Sequence, residues 1–252
     1  MINKGVEQID DLRIARWSYP DLGAAFNDFV GIDTTLNIQY VYNEGATDLA
    51  FTNQYPAFGY VWLQTPVTPS PGAEADFGFG TRADHANVPL AAHNFYINSN
   101  PIYQDPDLGV PEGAIQMHHN LQGLLYDGQA YMDPVTSTTT TATLAGDPVL
   151  GSGWIDGMVH SAHDRRNMSA CAPATLAVGD TQKVLLALTI ADAGNHLLSV
   201  RELRVHARQL HSCYRETRAA SVPPQVSFTN RYPDAATWAV DVVGGPFESG
   251  PV

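Results

Sequence analysis

The chain has 252 residues, a formal charge of −13 at pH 7 and 44% hydrophobic residues. That is enough apolar material for a sizeable core, and far too little positive charge to neutralise a nucleic-acid backbone or to settle on an anionic membrane. No apolar run reaches the roughly 20 residues of a membrane span, so nucleic acid and membrane insertion are both excluded. Cations, neutral glycans and other proteins remain as partners.

Only 15% of the residues are charged, and 21 Gly and 17 Pro interrupt the chain, a composition of turns and strands. The expected fold is mainly β: an antiparallel β-sandwich-like domain with one or two packed α-helices. All-β domains often run to this length, so residues 1–252 are expected to form one domain, with 130–145 as the place where it could subdivide. Residues 1–8 carry no hydrophobic signal core. That suits a cytosolic protein or a piece of a longer secreted chain, and the motifs below favour the second.

Leu12 to Trp17 alternates apolar and polar residues, as a half-buried strand does. An Asp-rich stretch follows from Trp17 to Thr35 and reads as a loop. Thr35 to Asn43 alternates again, with Leu36, Ile38, Tyr40 and Tyr42 on one face. Phe58–Leu63 and His93–Asn98 read as further strands, with loops expected at 66–72 and 76–88. Pro111 to Tyr126 gives a helix with Ile115, His119, Leu121, Leu124 and Leu125 as its apolar face. Thr136 to Thr143, with six Thr in eight residues, suits a polar edge strand. Gln182 to Ala191 is an apolar run of the kind buried on both faces in a central strand. Ser199 and Glu202 have capping-box spacing, and Leu203, Ala207, Leu210 and Tyr214 recur behind them at helical intervals. A last strand is expected at Thr237–Val243, before a Gly/Pro-rich tail.

Asp21, Asn27, Asp28 and Asp33 crowd three carboxylates and an amide into one short stretch. Such a group repels itself unless a cation or a set of N–H groups compensates it. Ca²⁺, which takes 6–8 oxygen ligands in flexible loops, is the favoured ion. The spacing is not that of an EF-hand, because no Glu closes a 12-residue loop. The competing reading makes the stretch an Asx-turn corner, with Asp28 and Asp33 paired to Arg13 or Arg16.

Asp156, His160, His163, Asp164, Arg165 and Arg166 form the densest polar constellation. His163 beside Asp164 is the weak catalytic candidate, a base with its orienting group; structural Arg–carboxylate pairs are the bland alternative. Gly151-Ser152-Gly153 lacks the spacing of a nucleophile elbow. His118 and His119 are adjacent, and His206 and His211 are five apart, so neither pair has zinc-ligand spacing on a helix. Trp62, Tyr96, Tyr103, Tyr126 and Tyr131 could form a sugar platform, although most aromatics in a sandwich belong to its core. Whether Cys171 and Cys213 bond is open on sequence alone.

Three blocks together resemble a little-characterised family of secreted, β-rich bacterial proteins, often multidomain and associated with type IX secretion. They are Trp17-Ser18 and Pro20-Asp21-Leu22-Gly23, with Asn27-Asp28-Phe29-Val30-Gly31, Asp33-Thr34-Thr35-Leu36 and Tyr40-Val41-Tyr42-Asn43 behind them; Gly146-Asp147-Pro148-Val149 with Gly153-Trp154-Ile155-Asp156 and Asp164-Arg165-Arg166; and Thr175-Leu176 with Gly179-Asp180-Thr181-Gln182. The resemblance implies a secreted or cell-surface location and neighbouring domains, and carries no assigned activity. The expected function is a non-catalytic extracellular module with structural calcium and an adhesive, assembly or glycan-binding role. A secreted hydrolase of polysaccharide or protein is the alternative.

Overall fold

The computed structural model describes residues 1–45, 48, 50–219, 225–229 and 239–243. The fold is mainly β, 40% strand and 17% helical, with antiparallel sheets and two helices. Its strands run β1 (Ile9–Leu12), β2 (Ala15–Ser18), β3 (Asp28–Asp33), β4 (Ile38–Asn43), β5 (Pro56–Gln64), β6 (Val67–Phe77), β7 (Gly80–Asn87) and β8 (Leu90–Ile97). Helix α1 (Pro111–Leu121) follows, then β9 (Tyr131–Met132), β10 (Thr139–Thr140), β11 (Arg165–Cys171), β12 (Ala174–Leu176), β13 (Leu185–Asp192) and helix α2 (His196–Ala219). A separate hairpin pairs β14 (Gln225–Thr229) with β15 (Ala239–Val243). The rest of the expected last strand, residues 237–238, and the tail lie outside the described residues.

Two sheets build the body. The front sheet has the order β13-β5-β4-β3, and the back sheet β2-β11-β8. Alternation along the front strands divides their side chains. Phe29, Ile38, Tyr40, Tyr42, Ala57 and Val61 face α2, where Val200, Leu203 and Ala207 complete a core. Val30 and Val41 point the other way and meet Phe95 and Ile97 of the back sheet. On the outer face of β8, Asn94 donates to the Asn120 carbonyl and the Tyr96 hydroxyl to Asn120 Oδ1, which docks the end of α1 there. The layers are therefore helix, sheet, sheet, helix.

Several expectations need correction. The Asp-rich stretch is not all loop: Phe29, Val30 and Ile32 are buried and draw Asp28–Asp33 into a strand paired with β4. Residues 66–88 form a long ribbon, β6 with β7, rather than loops. Pro69 and Pro71 look like breakers, but a two-stranded ribbon has outer edges where a missing N–H costs little, and the register shifts between Pro69 and Glu74. Of the apolar run 182–191, only Leu185 onward is strand, and among the described residues it lies at the sheet's edge, with Leu188 64% and Ile190 62% exposed. The buried stripe of α1 is Gly113, Gln116 and Asn120, while Ile115 faces solvent. The cysteine pairing, open on sequence, is not formed: Cys171 and Cys213 are both free thiols, one buried at the end of β11 and the other exposed on α2.

Candidate functional site

The corner where the Asp-rich stretch enters β3 is organised by a residue the motif did not single out, Asp48. Its Oδ2 accepts the Ala24 N–H at 2.8 Å, the Asn43 amide at 3.1 Å and the Asn27 amide at 3.3 Å. Its Oδ1 accepts the N–H groups of Ala50 and Phe51. Burial would raise this carboxyl, but the hydrogen bonds from Ala24, Ala50, Asn27 and Phe51 outweigh it and hold the group below its ordinary value. Gly23 is required here. Its φ is +81°, and a Cβ would fall 2.5 Å from the Asp48 carboxylate.

Asp28 begins β3 and stands directly opposite Asn43 on β4, so the two side chains share one face of the sheet. Asp28 is fully buried, and its Oδ2 accepts a 3.3 Å bond from the Leu22 N–H. Burial pushes the Asp28 carboxyl up to about 8; the Leu22 N–H pulls it back, and the charges of Asp21, Asp164 and Asp48 push it further up. Because Asp48 is an acceptor, Asn27 and Asn43 must present their Nδ2 groups to it, which turns both Oδ1 atoms elsewhere. Asn27 Oδ1, Asn43 Oδ1 and Asp28 Oδ1 are all buried with no hydrogen-bond partner.

Of the four expected metal ligands, the structure brings Asn27 and Asp28 into this corner. Asp21 lies at its exposed rim, with burial and the charge of Asp164 raising its carboxyl and Arg166 lowering it. Asp33 is at the far end of β3, five residues from Asp28. There it accepts the Thr35 hydroxyl and N–H and the Leu36 N–H, and pairs with Arg204 at 3.4 Å. It cannot join the corner, since each strand residue advances about 3.3 Å. Arg13 and Arg16 do not pair with it either; Arg13 is bound to Asp11, and Arg16 donates to the Trp17 carbonyl. Among the described residues no three His, Cys, Asp or Glu side chains are grouped closely enough to hold a metal ion. The corner instead mixes one buried carboxylate with two amide oxygens.

The constellation at 156–166 divides into structural pieces. Arg165, fully buried, forks onto Asp156 with two 3.0 Å bonds and donates to the Ser161 carbonyl. Burial raises the Asp156 carboxyl, and the Arg165 fork with the Val30 and Gly157 N–H groups pulls it back down. Asp164 accepts the Tyr19 hydroxyl at 3.0 Å and Arg166 at 3.5 Å, while Arg166 also lies over the Tyr19 ring. His163 packs edge-on against Phe26, and its Nδ1 is buried without a partner. His163 and Asp164 therefore make no base–orienter hydrogen bond, and the two side chains are engaged with different neighbours.

A second polar network fills the space between the sheets. His93 holds the Thr143 carbonyl through Nδ1 at 2.7 Å and meets the Asn167 amide through Nε2 at 3.3 Å. Gln39 donates to Asn167 Oδ1, Ser169 donates to Gln39 Oε1, and the Trp62 indole donates to Ser169. Every member is buried, so this network fixes the register of one sheet on the other. A crevice beside it, lined by Ser18, Gln39, Tyr60 and Asn167, is too tight to take a water molecule.

The aromatic residues considered as a sugar platform are mostly core. Trp62, Tyr96 and Tyr131 are buried, and Tyr103 stacks on Phe95 at 4.6 Å. Trp17 and Tyr19 form an exposed aromatic pair, with ring centres 6.5 Å apart. No family model, curated protein or solved structure matches this chain. No helix among the described residues is long and apolar enough to cross a membrane.

Proposed function

We propose that the chain is a non-catalytic β-sandwich module of a secreted or cell-surface protein, with an adhesive or assembly role. The observation that carries this reading is the uncovered strip of the front sheet. The back sheet covers only part of that face, so Leu188 and Ile190 of β13 stand exposed opposite Tyr60 and Phe58 of β5. Among the described residues β13 also ends the sheet. An apolar strip beside a strand edge is the kind of surface that takes an extended segment of another protein. The occupant it suits is such a segment, with apolar residues at alternate positions, rather than a sugar. The exposed side chains of the strip, Leu188 and Ile190, are aliphatic, while the neighbouring Tyr60 ring is already engaged by Arg16 at 4.1 Å and by the edge-on Phe58.

The test has two arms. In the first, binding to immobilised proteins and to a glycan panel is compared for the parent chain and a Leu188→Lys/Ile190→Lys variant. Protein binding that the variant loses, with its melting temperature unchanged, is the expected result; glycan binding alone would contradict the occupant. In the second, polysaccharide and protein substrates are offered to the chain and to His163→Ala/Asp164→Asn. Turnover abolished by that double variant would overturn the module reading in favour of a hydrolase.

A further inference from the structure

We infer that the corner beside β3 is a Ca²⁺ site whose protein ligands are the side-chain oxygens of Asp28, Asn27 and Asn43. The sequence motif alone leads to a different set, because it cannot show that Asp33 leaves along the strand or that Asn43 returns from β4.

Three observations combine. First, Asp28 Oδ1, Asn27 Oδ1 and Asn43 Oδ1 are buried acceptors without donors. Leaving such oxygens unpaired is costly, and the cost is largest for a carboxylate. Second, they are gathered by two independent constraints. Strand register sets Asp28 against Asn43. The shared Asp48 oxygen holds Asn27 and Asn43 by their nitrogens, which fixes their oxygens as acceptors. Third, the charge around them is negative. Asp21, Asp48 and Asp164 all act on Asp28. Arg166, the cation near Asp21 and Asp164, is already bound to Asp105 at 3.2 Å and to Asp164.

A water molecule could satisfy the acceptors but would leave the negative surroundings set by Asp21, Asp48 and Asp164 unanswered, whereas a hard divalent cation answers both. Ca²⁺ is preferred over Mg²⁺ because it accepts amide and carboxylate oxygens in irregular geometry and completes its shell with carbonyls and water. Asp48 is a positioning residue here. Its oxygens are filled by five donors, and it aims the two amides instead of touching the ion.

The experiment is a thermal melt of chelator-treated protein, shown metal-free by elemental analysis, with CaCl₂ or MgCl₂ added back at low and high salt. A site present only in the folded state should raise the melting temperature by roughly 5–10 °C at 100-fold excess over the dissociation constant. Mg²⁺ should give a smaller shift. Asp28→Asn should weaken the response at least tenfold in Ca²⁺ concentration, and Asn27→Ala, at a half-buried position, should weaken it less. Should Asp28→Asn fail to fold, the parent titration and Asn27→Ala still decide. No shift in the folded parent up to millimolar Ca²⁺ would overturn the site. So would a shift that Asn27→Ala and every folded Asp28 variant leave unchanged, since the ion would then bind elsewhere.

Discussion

At the scale of single residues, the polar side chains of this molecule are mostly consumed in holding its parts together. His93 shows the consequence most sharply. Its Nδ1–H donates to the Thr143 carbonyl, so Nε2 is the acceptor, and the group facing it is the donor amide of Asn167. Protonating Nε2 would set donor against donor in a buried space. Burial accordingly lowers the His93 pKa to about 4, with the Thr143 carbonyl opposing it. A depressed folded-state value means that the unfolded chain binds more protons between about pH 4 and 6.5. Stability is then complete above about pH 6.5 and is lost as pH falls towards 4, by on the order of 3 kcal/mol in all. Denaturant unfolding across that window should show the decline, and His93→Gln should flatten it at the expense of lower stability at neutral pH. An equal slope in parent and variant would place the acid sensitivity elsewhere.

At the scale of elements, α2 shows what the sequence can and cannot convey. The periodicity of Leu203, Ala207, Leu210 and Tyr214 is enough to place its buried face, because a single apolar stripe has one way to meet a sheet. Its start was not legible. Ser199 and Glu202 have capping-box spacing, yet the helix begins at His196, and Asn195 is the cap, accepting the Leu198 N–H at 2.8 Å. Ser199 is instead buried within the first turn, accepting the Ala193 N–H and donating to the Asn195 carbonyl. Both residues offer cap chemistry, and only tertiary packing chooses between them. Asn195→Ala should cost about 1 kcal/mol, and Glu202→Ala, at a half-buried site with no cap bond, less than about 0.5 kcal/mol. The reverse order in urea unfolding would contradict the observed cap. The candidate site divides in the same way. Asp28 and Asn27 were visible as a local motif, whereas Asp48 and Asn43 enter through loop return and strand pairing, which no local spacing records. Strand β13 misled for a related reason: an apolar run reports burial in the folded chain or in a complex without distinguishing them.

At the scale of the whole molecule, two sheets joined by a buried polar network, with a helix on each outer face, form a body that needs no covalent staple among its described residues. Burial raises the Cys171 thiol to about 12, while Cys213 is exposed. A thiol reagent should therefore label one cysteine in the native protein and two after unfolding, and reductant should leave the melting curve unchanged. Labelling of neither under denaturing, non-reducing conditions would reveal a disulfide and contradict this arrangement. The charges of Asp21, Asp48 and Asp164 act on Asp28 at the corner where β3 begins, and the proposal is that a cation completes it. The most direct measurement is a crystal structure grown with CaCl₂, with anomalous differences collected to locate calcium. The account predicts a peak with Asp28, Asn27 and Asn43 oxygens at about 2.3–2.6 Å. A corner holding only hydrogen-bonded water, in crystals whose solvent contains millimolar Ca²⁺, would contradict it.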